Sequence, residues 1–133
     1  MDATSSPKTV LVVGHCGPDF SYLRIAIRSA LGDATIVAVD DQGEMDRMIQ
    51  QGVDLVLLNR ELDYGFEPTT GVEMIKTLKP KFPKLKMMLI SNYPDAQAAA
   101  LAAGALPGFG KRELGSPRAK ELLRGAIGIE QKA

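Results

Sequence analysis

The sequence is poor in the residues that most often carry covalent or metal chemistry. Its 133 residues include one cysteine, one histidine and no tryptophan, and aromatic residues make up only 5%. A single cysteine, Cys16, excludes an internal disulfide and a zinc site built from several thiolates. A chain without disulfides fits a reducing compartment, and we therefore expect a cytoplasmic location.

The chain also lacks an excess of charge and a long apolar segment. Sixteen Lys and Arg residues balance sixteen Asp and Glu residues, so the bulk charge predicts no binding to nucleic acid or to an anionic membrane. The longest stretch without a charge, residues 96–110, is too short and too rich in glycine and proline to span a bilayer. With 45% hydrophobic residues, the chain can bury the core of one globular domain.

Five short apolar runs alternate with segments of helical periodicity. Continuous β-branched and leucine-rich runs are typical of parallel strands that are buried on both faces. The last run is the weakest, because Pro107 and Gly108 interrupt it. Thr70 and Ser116 are placed as N-caps, and the third helix is expected to end before Pro80. The apolar runs are residues 10–13, 35–39, 54–58, 87–90 and 105–109.

Five consecutive strand–helix units predict an α/β fold. We expect a doubly wound parallel sheet of five strands in the flavodoxin-like order 2-1-3-4-5, with helices on both faces in a three-layer (βα)5 sandwich. No internal repeat and no linker divides the chain. Residues 1–133 are therefore predicted to form one domain, with a core at 8–128 and flexible ends at 1–7 and 129–133.

The predicted topology selects a functional site before any motif does. In an open doubly wound sheet, ligands bind at the C-terminal ends of the strands where the winding reverses. Gly14 and His15 follow strand 1, Asn59 follows the apolar run of strand 3, Ser91 follows strand 4 and Lys111 follows strand 5. We expect these five residues to lie close together.

The ordered set of strand endings resembles the receiver domain of two-component response regulators, the CheY-like superfamily. The resemblance rests on the sequence DLVLLN at 54–59, on LIS at 89–91, and on GA at 104–105 leading to Lys111. It covers residues 8–128. It implies a signalling domain of a phosphorelay pathway that acts on a protein partner and is not itself an enzyme.

The resemblance does not extend to the chemistry of the family. Receivers hold Mg²⁺ with an acidic pair after strand 1 and accept a phosphoryl group on an aspartate after strand 3. Here Gly14 and His15 stand at the pair and Asn59 at the acceptor. A neutral imidazole, an amide and Lys111 leave a positive pocket that repels a dication, and an amide lacks the oxygen that forms an acyl phosphate. We therefore expect a pseudo-receiver that has no cofactor, disfavours Mg²⁺ and acts by phosphorylation-independent contact.

Several interpretations of the site stay open at this point. Ser91 stands where receivers contact the phosphoryl group, and it is also an ordinary strand-end serine. Lys111 is expected either to donate to the Asn59 side-chain oxygen or to stand in solvent. A regulated receiver using Asp19 and Glu61 as oxygen ligands is one alternative. A flavodoxin-like module that binds a small anion or nucleotide at loop 14–19 is another, and a reactive thiol at position 16 is a third.

Two regions are candidates for contact with a protein partner or with a second copy in a homodimer. Loop 61–70 is longer than the corresponding loop of receivers and carries Tyr64 and Phe66. We interpret these aromatic residues as a lid over the site or as partner contacts, with packing against the third helix as the alternative. The face of helix 4, strand 5 and helix 5 is the second candidate, because helix 4 is rich in alanine and nearly free of charge.

Overall fold

The structure, a computed structural model, describes residues 8–15, 17–62 and 65–128. Cys16, Tyr64 and the chain ends that were expected to be flexible lie outside the described residues. Strands and helices alternate along the described ranges as the sequence predicts. The strands are β1 (Thr9–Val13), β2 (Thr35–Val39), β3 (Leu55–Asn59), β4 (Met87–Ile90) and β5 (Leu106–Phe109). The helices are α1 (Gly17–Leu31), α2 (Gln42–Gln51), α3 (Gly71–Lys81), α4 (Pro94–Ala102) and α5 (Pro117–Ala126), with a 3-10 turn at Lys111–Glu113.

The five strands form one parallel sheet in the order β2-β1-β3-β4-β5, which confirms the doubly wound prediction. The order places β1 beside β3, and Val13 at the end of β1 is paired in register with Leu58, one residue before the end of β3. Helices α1 and α5 cover one face, while α2, α3 and α4 cover the other. None of the helices in the described ranges combines the length and the apolar character needed to cross a bilayer.

The central strands are buried on both faces. In β3, Val56 and Leu58 pack toward α2, α3 and α4, whereas Leu55 and Leu57 pack toward α1 and α5. All four side chains are fully buried. This two-sided burial explains why the strand is a continuous apolar run in the sequence, without the alternation of a half-exposed strand.

Two helix starts are set by the polar caps that the sequence predicts. The Glu73 N–H donates to Thr70 Oγ1 at 3.3 Å before α3, and the Ala119 N–H donates to Ser116 Oγ at 3.1 Å before α5. Each bond satisfies a donor that the first helical turn leaves without an intrahelical partner. The starts of α3 and α5 are therefore fixed locally.

The end of the third helix differs from the sequence prediction. The prediction that it stops before Pro80 is wrong, because α3 continues through Pro80 to Lys81. Proline has no backbone N–H to donate within a helix. Because Pro80 lies in the last turn of α3, this missing hydrogen bond disrupts no turn that follows. The Phe82 N–H then donates to the Leu78 carbonyl at 2.9 Å and closes the helix.

Candidate functional site

The C-terminal edge of the sheet brings together the residues that the sequence selects. Gly14 and His15 follow β1, Asn59 ends β3, and Ser91 follows β4. Lys111 begins the 3-10 turn after β5, and it lines one cleft together with Asn59 and Ser91. The topology therefore assembles these positions, and the chemistry of the site depends on how each side chain is bonded.

Asn59 is held by two hydrogen bonds to the backbone of neighbouring loops. Its Nδ2 donates to the Gly14 carbonyl at 3.2 Å and to the Glu61 carbonyl at 3.1 Å. Both bonds require an N–H donor, so a carboxylate at this position would face two carbonyl oxygens. The surrounding backbone is thus arranged around an amide and not around an aspartate.

Gly14 leaves no room for the acidic side chain that receivers place there. Its φ of 77° lies in the left-handed region, which favours glycine. A Cβ on Gly14 would lie 2.6 Å from Leu62 Cδ2, far inside the normal separation of two carbon atoms. Leu62 is only 5% exposed and belongs to the core on the α2 and α3 side. A side chain at position 14 would therefore displace the buried Leu62 side chain.

The side chains at this edge do not fit a magnesium ion. Mg²⁺ needs octahedral oxygen coordination that usually includes one or two carboxylates, whereas Gly14 and Leu62 supply none. Asp19 and Glu61, the alternative oxygen donors, are each paired with a cation. Among residues 8–15, 17–62 and 65–128, no group of three or more His, Cys, Asp or Glu side chains could hold a metal ion.

The long loop between β3 and α3 folds back over the switch point. Glu61 and Thr70 form an antiparallel bridge, and the Leu62 N–H donates to the Thr69 carbonyl at 2.7 Å. This main-chain pairing holds Leu62 against Gly14. The interpretation of the loop as a lid named Tyr64 and Phe66, and it stays a prediction.

Phe66 lies in the core, which corrects its assignment as a possible partner contact. The side chain is 2% exposed and packs with residues of α2 and α3. The loop is also tied to the start of α2, because the Gln42 N–H donates to the Gly65 carbonyl at 2.7 Å and the Glu67 N–H donates to Gln42 Oε1 at 3.1 Å. Burial of apolar surface explains this aromatic residue in a polar loop. The assignment of Tyr64 stays a prediction.

His15 is a buried, neutral imidazole. The residue is 9% exposed, and Nε2 lies 3.3 Å from the Leu57 carbonyl oxygen. Because a carbonyl only accepts, Nε2 carries the proton and Nδ1 has a lone pair, to which no described residue donates. Burial lowers the pKa of His15 from 6.5 to about 4, although the Leu57 carbonyl raises it; Lys111 lowers it further and Asp19 raises it. The side chain is therefore uncharged at neutral pH.

Lys111 pairs with Asp19, which corrects the expectation that it donates to Asn59 or stands in solvent. Its ammonium lies 2.5 Å from Asp19 Oδ2, and the two side chains are 35% and 30% exposed. Asp19 lies in the first turn of α1, where the helix dipole also favours a carboxylate. The pair cancels the positive charge that the sequence assigns to the pocket.

A cleft of about 180 Å³ opens beside these residues, and the polar side chains around it have hydrogen-bond or ion-pair partners within the protein. Ser91 Oγ accepts a hydrogen bond from the Tyr93 N–H at 3.1 Å. The Arg60 guanidinium lies 4.7 Å from the centroid of the Tyr93 ring and pairs with Glu61 at 3.1 Å. Ser91 thus has the local bonding of a strand-end serine.

Gln97 of α4 contacts the sheet beside Gly108 of β5. A Cβ on Gly108 would lie 2.2 Å from the Leu89 carbonyl oxygen and 3.0 Å from Gln97 Oε1, so no larger side chain fits there. Gln97 Nε2 donates to the carbonyls of Leu89 at 2.9 Å and Ser91 at 3.1 Å. These bonds give a donor to two carbonyls beside an irregularity in the β4–β5 register. They also link α4 to the sheet.

We expect Gln97→Ala to lower the free energy of unfolding by about 1–3 kcal/mol, because the carbonyls of Leu89 and Ser91 lose this donor. Urea denaturation measures this change. The matched control is Gln50→Ala on the exposed side of α2, which should change the stability by less than about 0.5 kcal/mol. Equal effects of the two substitutions would show that the Gln97 amide is not a structural link.

Solved structures of receiver domains share this fold. The signal receiver domain of an HD domain-containing protein from Pseudomonas fluorescens Pf-5 has a TM-score of 0.76 at 17% identity, over 96% of this chain and 92% of that one. A response regulator from Thermotoga maritima has a TM-score of 0.70 at 20% identity, over 92% and 99%. The beryllofluoride-activated NtrC4 receiver domain dimer has a TM-score of 0.69 at 18% identity, over 90% of this chain and 96% of that one. No family model and no curated protein sequence matches the chain. It therefore has the receiver fold, as the sequence predicts.

Proposed function

We propose that this chain, which has the receiver fold, is a pseudo-receiver that signals through protein contact without being phosphorylated. The approach of Leu62 to Gly14 supports this most strongly, because a side chain added at position 14, one of the two positions of the acidic pair, would meet Leu62. Asn59 adds to it, since an amide does not form the acyl phosphate of a receiver. On this proposal the chain is a cytoplasmic component of a two-component pathway and not an enzyme.

We assign the protein partner to the face formed by α4, β5 and α5. A groove of about 530 Å³ lies on this face, with Pro94, Ala98 and Leu101 in its apolar lining, and Leu101 is 47% exposed. Arg118 lines the groove and donates to both carboxylate oxygens of Glu113, at 2.8 and 2.7 Å. Apolar side chains beside an ordered ion pair are typical of protein interfaces. A homodimer through this face stays a prediction; the similar NtrC4 receiver domain is itself a dimer.

Two of the three alternative functions can be compared with the bonding at the site, and they receive less support from it; the third depends on Cys16, outside the described residues. A regulated receiver with unconventional ligands would need Asp19 or Glu61, and both carboxylates already form ion pairs. A module that binds a small anion or a nucleotide would need the positive charge of Lys111, which Asp19 neutralises. Contact that is independent of phosphorylation remains the proposal.

A titration with Mg²⁺ and beryllofluoride, followed by amide NMR, tests this proposal. We expect no shifts around His15, Asn59 and Ser91, and no phosphorylated species in mass spectra after incubation with acetyl phosphate. The matched variant Asn59→Asp restores the acceptor but leaves Gly14 and Leu62 in place, so we expect it to stay silent as well. A receiver that retains its acidic residues is the positive control. Shifts that cluster at these positions in the native protein would favour a regulated receiver instead.

A further inference from the structure

The even charge balance of the whole chain conceals a strongly basic segment. Between Glu73 and Asp95 the sequence contains five lysines and no acidic residue. Lys76 pairs with Glu73 at 3.4 Å, while the other four form no ion pair with any acidic side chain of the described ranges. The end of α3 and the turn into β4 therefore carry a local excess of positive charge. The five lysines are Lys76, Lys79, Lys81, Lys84 and Lys86.

An apolar groove lies within this segment, at the N-terminal edge of the sheet between the ends of α2 and α3. Its volume is about 450 Å³, in the range of pockets that hold a ligand or an inserted side chain. Val53, Phe82 and Leu85 line it and are half-buried, while Lys81 and Lys84 line it and are exposed. These five residues define the basic groove, and no acidic side chain of the described ranges lines it.

We propose that the basic groove binds an acidic peptide segment of a partner protein. One bulky apolar side chain of the peptide packs against Phe82 and Leu85, and flanking carboxylates pair with Lys81 and Lys84. Burial of the apolar side chain supplies affinity, while the complementary charges orient the peptide and speed its association. The groove lies at the opposite edge of the sheet from the degenerate phosphoacceptor site, so this interaction does not depend on the proposed function.

The recessed position of the apolar side chains favours a peptide over a membrane surface. Binding to a bilayer uses apolar side chains that protrude into the headgroup and acyl region. The large exposed apolar side chains of the described ranges are Tyr22, Ile25, Tyr93 and Leu101, and none of them lines the basic groove. A side chain inserted from a peptide reaches the half-buried lining, whereas a flat lipid surface contacts the exposed residues of the rim, which are mainly the two lysines and Pro83.

An amide NMR titration with a defined probe tests the proposal. The probe is an N-acetylated, C-amidated peptide that has one phenylalanine flanked by glutamates on both sides. We expect shifts at Val53, Phe82 and Leu85, and weaker binding at higher salt because the ion pairs are exposed. Serine in place of the phenylalanine should weaken binding about tenfold, the equivalent of about 1.4 kcal/mol.

Charge reversal separates the groove from the general charge of the protein. Lys81→Glu with Lys84→Glu should weaken probe binding at least about tenfold. The matched control, Arg24→Glu with Arg28→Glu, changes the net charge equally on the exposed side of α1 and should leave the affinity unchanged. An absence of shifts in the groove, or equal losses in both double variants, would overturn the proposal.

Vesicles of equimolar phosphatidylcholine and phosphatidylserine form the second arm of the experiment. The proposal would be overturned in favour of a lipid surface by three results together. The protein would sediment with these vesicles, the double variant Lys81→Glu and Lys84→Glu would not, and the peptide would not bind. Peptide binding without sedimentation supports it. The beryllofluoride titration reports on the other edge of the sheet, so failure of one proposal is distinguishable from failure of the other.

Discussion

Gly14→Ala is expected to lower the free energy of unfolding by about 2–5 kcal/mol, because one methyl group meets two separate costs. A residue with a Cβ pays about 1–2 kcal/mol in the left-handed conformation that Gly14 adopts. Overpacking against Leu62, whose Cδ2 would lie 2.6 Å from the new Cβ, costs about 1–3 kcal/mol more. Urea denaturation measures the sum. Gly17→Ala is the matched control, since its Cβ has no neighbour within 4 Å, and it should be neutral or stabilising.

Leu62→Ala separates the two costs of the Gly14 substitution. On its own it should lower the stability by about 2–5 kcal/mol, because it empties a buried position. In that background the clash is absent, and Gly14→Ala should cost only the backbone penalty of about 1–2 kcal/mol. The coupling energy of the double-mutant cycle measures the contact. If the losses of unfolding free energy from Gly14→Ala and Leu62→Ala were strictly additive, the two residues would not be in contact, and the proposed function would lose its main support.

The altered positions of the site form one connected unit. Asn59 donates to the carbonyl of Gly14, Gly14 is shaped to accept Leu62, and Leu62 is held there by the Thr69 carbonyl. A carboxylate at position 59 would face a carbonyl, and a side chain at position 14 would face a leucine. On the proposed function, phosphoacceptor chemistry would require changes at both positions together with displacement of Leu62.

The fold was predictable from the sequence because its determinants are local or periodic. Continuous apolar runs such as Leu55–Leu58 are a consequence of burial on both faces, and caps such as Thr70 act within one helical turn. The meeting of Asn59 and Ser91 at one edge followed from strand order alone. Pro80 was misread because its position within the last turn of α3 depends on where that helix ends.

The bonding within the site was not predictable, because it depends on side-chain contacts between distant parts of the chain. Lys111 and Asp19 are 92 positions apart, and nothing in either local sequence indicates that they pair. Leu62 lies in a polar loop without periodicity, so no pattern marks it as buried. Gln97 is one polar residue on an alanine-rich helix, and its role follows only from the irregular β4–β5 register. The lysine-rich segment was readable from the sequence, but its apolar groove requires the packing of α2 against α3.

Acidification from pH 6.5 toward pH 4 is expected to remove about 3 kcal/mol of stability through His15 alone. Burial holds the pKa of the folded imidazole at about 4, whereas the ordinary value is 6.5. Between these values the unfolded chain binds a proton that the folded chain does not, so protons favour unfolding. This contribution to stability is therefore fully present above pH 6.5 and decreases as the pH falls toward 4.

Two measurements isolate the contribution of His15 from that of the other titratable groups. His15 is the only histidine in the sequence, so its imidazole NMR signals give the pKa of the folded state directly. His15→Gln keeps a donor that can reach the Leu57 carbonyl but does not titrate, and its stability should therefore change much less between pH 7 and pH 5. Parallel pH profiles of the native protein and His15→Gln would contradict a buried neutral imidazole, as would an imidazole pKa near 6.5. A lowered pKa with a flatter variant profile would establish that the end of β1, where receivers carry charge, is here built to exclude it.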